Sequence, residues 1–283
     1  MARGRATQPG DPFLKWAGGK RTVVPRLRPH LPATFGTYHE PFVGGGALFF
    51  ALAVDRPRRF GRAVLSDLNP RLVATYRAVR DQVEELIEAL SCHAERDSEE
   101  YFYSVRQQPL DDRPDVEVAA WLLYMNRAAF NGLYRVNSKG RFNVPYGSYV
   151  NPTICPAAHL RACAQLLRGI AIEHEPFTAV ATRARKGDVV YFDPPYVPLS
   201  TSAHFTAYTR EGFGPDDQRT LRDLSVDLAA RGVRVILSNH DTPEVRALYL
   251  EEQFSLEVVP VARVINSNAS GRGAVAEVVM VAR

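Results

Sequence analysis

Cysteine is scarce in this chain of 283 residues, which contains only Cys92, Cys155 and Cys163 and no Cys-x-x-Cys pair. An odd number of thiols without paired spacing supports neither a disulfide framework nor a cysteine-rich zinc site. The seven histidines form no His-Glu-x-x-His motif, so the sequence also predicts no metal site. We therefore expect a protein of a reducing compartment that works without a bound metal.

Long apolar runs are also missing. The longest uncharged apolar stretch, residues 42–54, contains three consecutive glycines and is shorter than the roughly 20 residues that span a bilayer. The basic residues 1–11 are followed by Lys15, Lys20 and Arg21 instead of an apolar segment, which is not the pattern of a secretory signal. These features predict a cytoplasmic protein with no membrane partner.

Neither sign of charge is in large excess. Lys and Arg number 35 against 31 Asp and Glu, and the net charge of +4 permits a polyanionic partner without requiring one. Apolar residues make up 46% of the chain and charged residues 23%, as in ordinary globular domains. A disordered chain, a collagen and a coiled coil are therefore excluded, and the length predicts one large domain or a core with one insertion.

Short apolar runs alternate with helical patterns along most of the chain. Residues 188–192 and 233–238 are predicted strands, and a nearly continuous apolar run such as residues 189–192 is typical of a parallel sheet covered on both faces. The last two predicted strands, residues 255–264 and 275–282, suit an antiparallel hairpin. The other predicted strands are residues 38–43, 63–66 and 170–173, and the helices between strands are residues 47–54, 70–90, 216–231 and 242–253.

This alternation is interrupted at residues 91–167. Helical patterns there, at residues 98–107, 116–130 and 156–167, surround a polar stretch rich in Gly and Asn that predicts a loop or hairpin. We therefore expect an α/β fold in which residues 1–90 and 168–283 form a doubly wound sheet and residues 91–167 form a helical insertion.

Residues that directly follow strands meet at the edge of an open α/β sheet where ligands bind. Glu40 to Gly46 ends in three glycines before a helix, so its backbone can approach a ligand, although a glycine turn used only for packing is as common. Asp67 ends the next strand, where a carboxylate can accept hydrogen bonds from both ribose hydroxyls of an adenosine cofactor. A helix-capping aspartate is the alternative.

The third such strand end is Asp193-Pro194-Pro195-Tyr196. Its two prolines fix φ and remove two backbone donors, so the turn offers carbonyl acceptors beside the Asp193 carboxylate and the Tyr196 ring. Acceptors and a stacking face suit an exocyclic amino group on a planar heterocycle. Chance would place this tetrapeptide in about one such chain in 300, which makes a merely stiffened surface loop the weaker interpretation.

Together these segments resemble the Dam-like DNA adenine methylases, which use S-adenosylmethionine. The resemblance runs in the family's order from Phe13 to about Gly273, and it implies a methyltransferase-type sheet with residues 91–167 as the target-recognition insertion. The matching segments are residues 13–20, 40–46, 66–69, 130–135, 140–147, 193–196, 205–208 and 238–241.

The resemblance implies a role for each matching residue. Asp193, Pro194 and Tyr196 would hold the target adenine, with Asp193 and the Pro194 carbonyl accepting the two hydrogens of the N6 amino group. The lone pair of this nitrogen is delocalised into the ring, so positioning and charge placement would supply most of the catalysis. The implied contacts to S-adenosylmethionine are Trp16, Lys20, Gly44, Gly46, Asp67 and Asp193.

An adenine inside a duplex cannot reach such a pocket, so the resemblance implies a flipped nucleotide stacked on Tyr196. Phe130 and Asn131 would lie at the flipping site, and Arg135 would contact O6 and N7 of a guanine. The ordered match over residues 130–147 implies the target GATC in double-stranded DNA, with no obligatory protein partner. The implied DNA contacts are Lys15, Phe130, Asn131, Leu133, Arg135, Lys139 and Pro145.

Three other functions share some of these features. A methylase of cytosine N4, a free nucleotide or a protein glutamine could use the same strand-end chemistry, but the insertion argues against it. A DNA-binding regulator without catalysis would need a broken catalytic turn, and residues 193–196 are whole. A nicotinamide oxidoreductase leaves residues 13–20 unexplained. Strand marking, gene regulation and restriction are not distinguished by the sequence.

Overall fold

The fold is built around a seven-stranded sheet. The computed structural model describes residues 8–16, 18, 20–137, 139–196, 213–261 and 275–283. The strand order is β3-β2-β1-β4-β5-β7-β6, and β7 runs antiparallel to both neighbours while the other pairs are parallel. The predicted doubly wound sheet and terminal hairpin are confirmed. The strands are β1 Phe35–Glu40, β2 Phe60–Asp67, β3 Ala171–His174, β4 Val189–Phe192, β5 Arg234–His240, β6 Phe254–Val261 and β7 Val275–Ala282.

Helices connect these strands and cover the sheet. Among the described residues, no helix is both long and apolar enough to cross a membrane. Two short 3-10 helices, at Lys20–Thr22 and Phe130–Gly132, contain candidate site residues. The α-helices are α1 Val24–Leu27, α2 Ala47–Ala53, α3 Pro70–Asp81, α4 Val83–Arg96, α5 Glu99–Arg106, α6 Asp115–Ala128, α7 Ala157–Leu167, α8 Val180–Arg183, α9 Pro215–Ala230 and α10 Pro243–Leu248.

The prediction of one long helix over residues 70–90 is wrong. Asn69 caps α3 as expected, since its side chain accepts hydrogen bonds from two backbone N–H groups of the first turn. The helix ends at Asp81 because Gln82 has φ −135° and ψ 39°, outside the helical region. A second helix, α4, starts at Val83 and buries Leu86 and Leu90 in the common core.

Apolar side chains fill both faces of the sheet, as the continuous runs predict. Alternate residues of β4 point to opposite faces, so Tyr191 joins one cluster of buried side chains and Phe192 joins the other. The first cluster also contains Trp121 of α6 and Leu160 of α7, both from residues 91–167. The helices of this segment are therefore packed into the same apolar core as one face of the sheet.

The polar stretch within residues 91–167 forms a hairpin-like loop. Antiparallel bridges pair Ala129 with Tyr146 and Val136 with Phe142. The Asp97 carboxylate accepts the hydroxyl hydrogen of Tyr146 at 3.2 Å and also that of a tyrosine on α6 at 2.8 Å. The base of this hairpin is thus anchored to the helical layer. Residues 129–147 are called the recognition hairpin, after the role that the family resemblance implies.

Candidate functional site

The carboxyl ends of β2, β1 and β4 lie side by side, and the strand order reverses between β1 and β4. This reversal opens a crevice at the sheet edge. Asp67 at the end of β2 accepts hydrogen bonds from the backbone N–H of Gly44 at 3.2 Å and of Asn69 at 2.9 Å. Burial raises the pKa of the Asp67 carboxyl to about 6, against the opposing effect of these hydrogen bonds. Asp67 therefore holds the glycine turn and α3 at the crevice.

Gly44 and Gly46 shape the turn after β1 by adopting φ angles of 45° and 65°. A Cβ on Gly44 would lie 2.8 Å from Cδ1 of Trp16, and one on Gly46 would lie 2.6 Å from the hydroxyl of Tyr76. The Tyr76 hydroxyl also donates to the Gly44 carbonyl at 3.1 Å. Both glycines are therefore required by close approach as well as by backbone conformation.

Lys20, which is 3% exposed, joins the beginning, middle and end of the chain. Its Nζ lies 3.2 Å from Asp193 Oδ1, 3.7 Å from Glu277 Oε2 and 4.1 Å from the centre of the Tyr196 ring. It also donates to the Gly18 carbonyl at 2.8 Å. Because a buried ammonium requires such partners, Lys20 brings the turn after β4 and β7 together.

Asp193 and Tyr196 are held by further hydrogen bonds. Ser238 on β5 donates to Asp193 Oδ1 at 3.0 Å, and Tyr196 donates its hydroxyl hydrogen to Glu277 at 2.9 Å. Burial raises the pKa of Asp193, and Lys20 offsets part of this rise. Pro194, which follows Asp193 in the turn, is buried. The turn after β4 thus presents a carboxylate and an aromatic ring that are both fixed in position.

Trp16 lies between the glycine turn and the recognition hairpin. Its ring approaches Gly44 on one side and stacks on Tyr134 on the other, with 5.1 Å between ring centres. Tyr134 in turn packs against Phe142 of the same hairpin. Trp16 therefore contacts both the glycine turn, a candidate cofactor site, and the hairpin, a candidate DNA site.

The candidate DNA-contacting residues lie on this hairpin, apart from Lys15. Phe130 is 50% exposed, and its N–H donates to the carbonyl of the exposed Pro145 at 2.9 Å. Asn131 has φ 55°, and its N–H donates to the Tyr149 hydroxyl at 2.7 Å. Leu133 is partly buried beyond this turn. The structure therefore brings these four residues together at one exposed end of the hairpin.

Arg135 and Lys139 lie further along the hairpin. The Arg135 side chain donates from Nε to Asn143 Oδ1 at 2.7 Å and from Nη2 to the Asn143 carbonyl at 3.4 Å. A guanidinium carries five N–H groups, so these two bonds orient Arg135 without using all its donors. The exposed Lys139 lies at the hairpin tip, where its N–H donates to Asn137. The predicted match at residues 205–208 lies outside the described residues.

Sequence reasoning assigned no role to Glu277, Ser238 or Asn126. Glu277 on β7 pairs in register with His240 on β5, which places it beside Tyr196. Asn126 on α6 bonds the backbone of Lys15. Only the segment around Ser238 carried a signal, as part of the family resemblance.

A family model described as D12 class N6 adenine-specific DNA methyltransferase matches residues 16–265. The chain belongs to this family. It is an adenine-specific DNA methyltransferase, and its methyl donor is S-adenosylmethionine. The matched range contains Lys20, Asp67 and Asp193.

Relatives match nearly the whole chain. The Type II methyltransferase M1.LlaDCHI of Lactococcus lactis subsp. cremoris is 42% identical, covering 95% of this chain and 94% of the relative. DNA adenine methylases of Vibrio cholerae and Escherichia coli K12 are 40% and 37% identical, each over 94% of this chain and 93% and 92% of their own lengths. Among solved structures, the rRNA methyltransferase aviRa from Streptomyces viridochromogenes is 17% identical with a TM-score of 0.41, over 99% of this chain and 90% of that one.

Replacing Lys20 by methionine should destabilise the fold by about 3 kcal/mol at neutral pH, because the partly buried Asp193 and Glu277 would lose their cation. Without the ammonium, the raised pKa of Asp193 should rise further. The carboxyl then takes up a proton as the pH falls, so the loss should shrink at acidic pH. Urea unfolding at about pH 7.5 and 5.5 measures both effects.

The exposed Lys186 provides the matched control, since Lys186→Met should change the free energy of unfolding little at either pH. An equal loss for Lys20→Met at both pH values would contradict the role of the buried carboxylates.

Proposed function

We propose that this enzyme methylates the N6 amino group of an adenine flipped out of double-stranded DNA, within the sequence GATC. The observation that carries the proposal is the turn after β4, where Asp193 and Tyr196 are fixed by Lys20, Ser238 and Glu277 at the ligand-binding edge of the sheet. A carboxylate beside an aromatic ring suits an amino group on a planar base.

The residues along the crevice suit S-adenosylmethionine. The Asp67 carboxylate can accept the ribose hydroxyl hydrogens, and Lys20 with its partner Asp193 is the proposed contact at the β4 side of the crevice. The backbone of the turn at Gly44 and Gly46, which follows β1 at the crevice, is the proposed contact beside the amino acid portion of the cofactor. Trp16, already lying over Gly44, would complete the binding surface.

In the proposed reaction, bound S-adenosylmethionine would supply the methyl group. Its methyl carbon–sulfur bond would break as the bond to N6 forms, which leaves S-adenosylhomocysteine, and one N6 proton would pass through Asp193 to solvent. Asp193 and the Pro194 carbonyl accept the two N6 hydrogens and so favour a tetrahedral nitrogen whose lone pair faces the incoming carbon. Tyr196 stacks on the base, and Glu277 fixes the ring through its hydroxyl. Asp193 need not be a strong base, because the amine becomes acidic only as the methyl group is acquired.

The recognition hairpin supports a flipped base. Phe130 is exposed in the turn after α6, beside Asn131 in a left-handed conformation, and Lys15 packs on Gly132 of the same turn. An exposed aromatic residue on a turn that carries a basic residue suits the unstacked space beside a flipped nucleotide. We accordingly propose residues 91–167 as the target-recognition unit and residues 1–90 and 168–283 as the catalytic unit.

The target GATC is proposed from the resemblance over residues 130–147 and from relatives named DNA adenine methylase. Arg135 is the proposed reader of a guanine, and Asn143 orients its guanidinium from one edge. Leu133, Lys139 and Pro145 are proposed as further DNA contacts on the hairpin.

Asp193→Ala should lower methyl transfer by about 100-fold or more while the protein stays folded, because the variant loses the acceptor for the amino group. Transfer of tritiated methyl groups to duplex DNA, RNA and protein, followed by nucleoside analysis, measures both activity and product. N4-methylcytosine or a labelled protein as the main product would contradict the proposed function.

Asp188→Ala provides the matched control. This acid at the start of the same strand accepts the backbone N–H groups of Thr37 and Arg185, so its loss should reduce stability and leave the turnover of folded enzyme nearly unchanged.

Binding of S-adenosylmethionine should weaken by about tenfold between pH 7 and 5, because the pKa of Asp67 is about 6 and only its carboxylate accepts both ribose hydroxyl hydrogens. Below this pKa the carboxyl carries a proton that binding must release. Isothermal titration calorimetry across this range measures the dependence. Asp67→Asn should bind more weakly at pH 7 and lose most of the pH dependence, and an unchanged profile would contradict the ribose contact.

Arg135→Ala should relax the target toward sites with one substituted guanine and lower activity on GATC most, since one bidentate contact discriminates by about 1–3 kcal/mol. Mapping of N6-methyladenine after expression in a methylation-free host tests this. Lys139→Ala is the control, because loss of a phosphate contact should weaken all sites alike. Methylation outside GATC by the unmodified enzyme would contradict the target, and an unchanged motif in Arg135→Ala would contradict the assigned reader.

A further inference from the structure

Asn126, near the carboxyl end of α6, has a buried side chain that is 4% exposed and bonds two separate segments. Its Oδ1 accepts the Lys15 N–H at 2.9 Å, and its Nδ2 donates to the Lys15 carbonyl at 2.7 Å and to the Gly132 carbonyl at 2.9 Å. We infer that Asn126 is a positioning residue that couples the binding of S-adenosylmethionine to the binding of DNA. This inference rests on the proposed function.

The three hydrogen bonds require an amide at this position. A side-chain amide offers two N–H donors and a carbonyl acceptor, and Asn126 uses both donors on carbonyl oxygens and its oxygen on an N–H. A carboxylate of the same shape could accept from Lys15 but would face the two carbonyls without a hydrogen to donate. Asn126 is therefore matched to both segments at once.

One of these segments reaches the cofactor site. The Lys15 carbonyl that Asn126 binds belongs to the peptide group that connects Lys15 to Trp16. Trp16 lies directly over Gly44, where an added Cβ would be 2.8 Å from its ring. A shift of Trp16 on the binding of the cofactor would therefore act on the peptide that Asn126 holds.

The other segment is the turn of the recognition hairpin. Gly132 has φ 64°, and a Cβ there would lie 2.9 Å from Lys15 Cδ and 3.0 Å from the Asn126 carbonyl oxygen. The Lys15 side chain thus packs directly on the turn that includes the exposed Phe130. The turn is therefore in direct contact with Lys15, the residue that precedes Trp16.

These contacts place one amide between two ligand sites that the same reaction must fill. Because coupling between sites is reciprocal, S-adenosylhomocysteine should strengthen DNA binding by the same factor by which DNA strengthens the binding of S-adenosylhomocysteine. Loss of the Asn126 amide should lower this factor even where each ligand still binds alone. A side chain that served only stability would leave the factor unchanged.

The test measures the dissociation constant of a GATC duplex with and without saturating S-adenosylhomocysteine, and the reciprocal pair of constants by calorimetry. In the unmodified enzyme each ligand should strengthen the other by about fivefold or more. In Asn126→Ala this factor should fall to within about twofold of one. Asn126→Asp keeps the side-chain shape and the bond to the Lys15 N–H, and it should lower the coupling factor equally. This variant replaces Asn126→Ala in the test if the alanine variant does not fold.

Ser225→Ala is the control, because Ser225 is buried on α9 and its hydroxyl donates only within that helix to the Leu221 carbonyl. Its coupling factor should equal that of the unmodified enzyme. A wild-type factor near one, or an unchanged factor in both Asn126 variants, would overturn the inference. Failure of the unmodified enzyme to bind the duplex under any condition would instead overturn the proposed function.

Discussion

Burial of a charged ammonium requires nearby partners of opposite charge. For Lys20 these partners come from two other, distant parts of the chain. The segment before α1 supplies the ammonium, the turn after β4 supplies Asp193, and β7 supplies Glu277. Each carboxylate would be costly to bury alone, so the three groups depend on one another. The position of the Tyr196 ring follows from the same arrangement, since Lys20 lies over it and Glu277 accepts its hydroxyl hydrogen.

The strand order makes this arrangement accessible to ligands. β1 and β4 are neighbours, and their connections leave toward opposite sides, so the glycine turn and the turn after β4 open into one crevice. Asp67 reaches the same crevice from β2 and binds the backbone of both the glycine turn and the start of α3. Its role in shaping the turn and its proposed contact to ribose are compatible, because a carboxylate can accept several hydrogen bonds.

Helix α6 links this crevice to the recognition hairpin. Its Trp121 packs on Phe142 of the hairpin and donates to the carbonyl of Val105, while Asn126 bonds Lys15 and Gly132. The helical segment therefore shares the core of the sheet instead of forming a separate layer with an independent core. Such shared packing holds the hairpin at a defined distance from the turn after β4.

The family and much of the fold could be predicted from the sequence, because strand and helix patterns are local and ordered motifs mark the strand ends. All seven strands were predicted, although β1 spans Phe35–Glu40 where residues 38–43 were expected. Asp67 and Asp193 were placed at strand ends that the structure brings to one edge. Local patterns do not determine which distant residues become neighbours. The pairing of Glu277 with Tyr196 depends on the register of β7 against β5, and the bonds of Asn126 depend on how α6 packs on the amino-terminal segment. The break at Gln82 likewise arises where helical periodicity continues in the sequence, and α3 and α4 bury their apolar residues in the same core cluster. These features were decided by tertiary structure, since burial of charge and of polar groups is a property of the assembled core and not of any one segment.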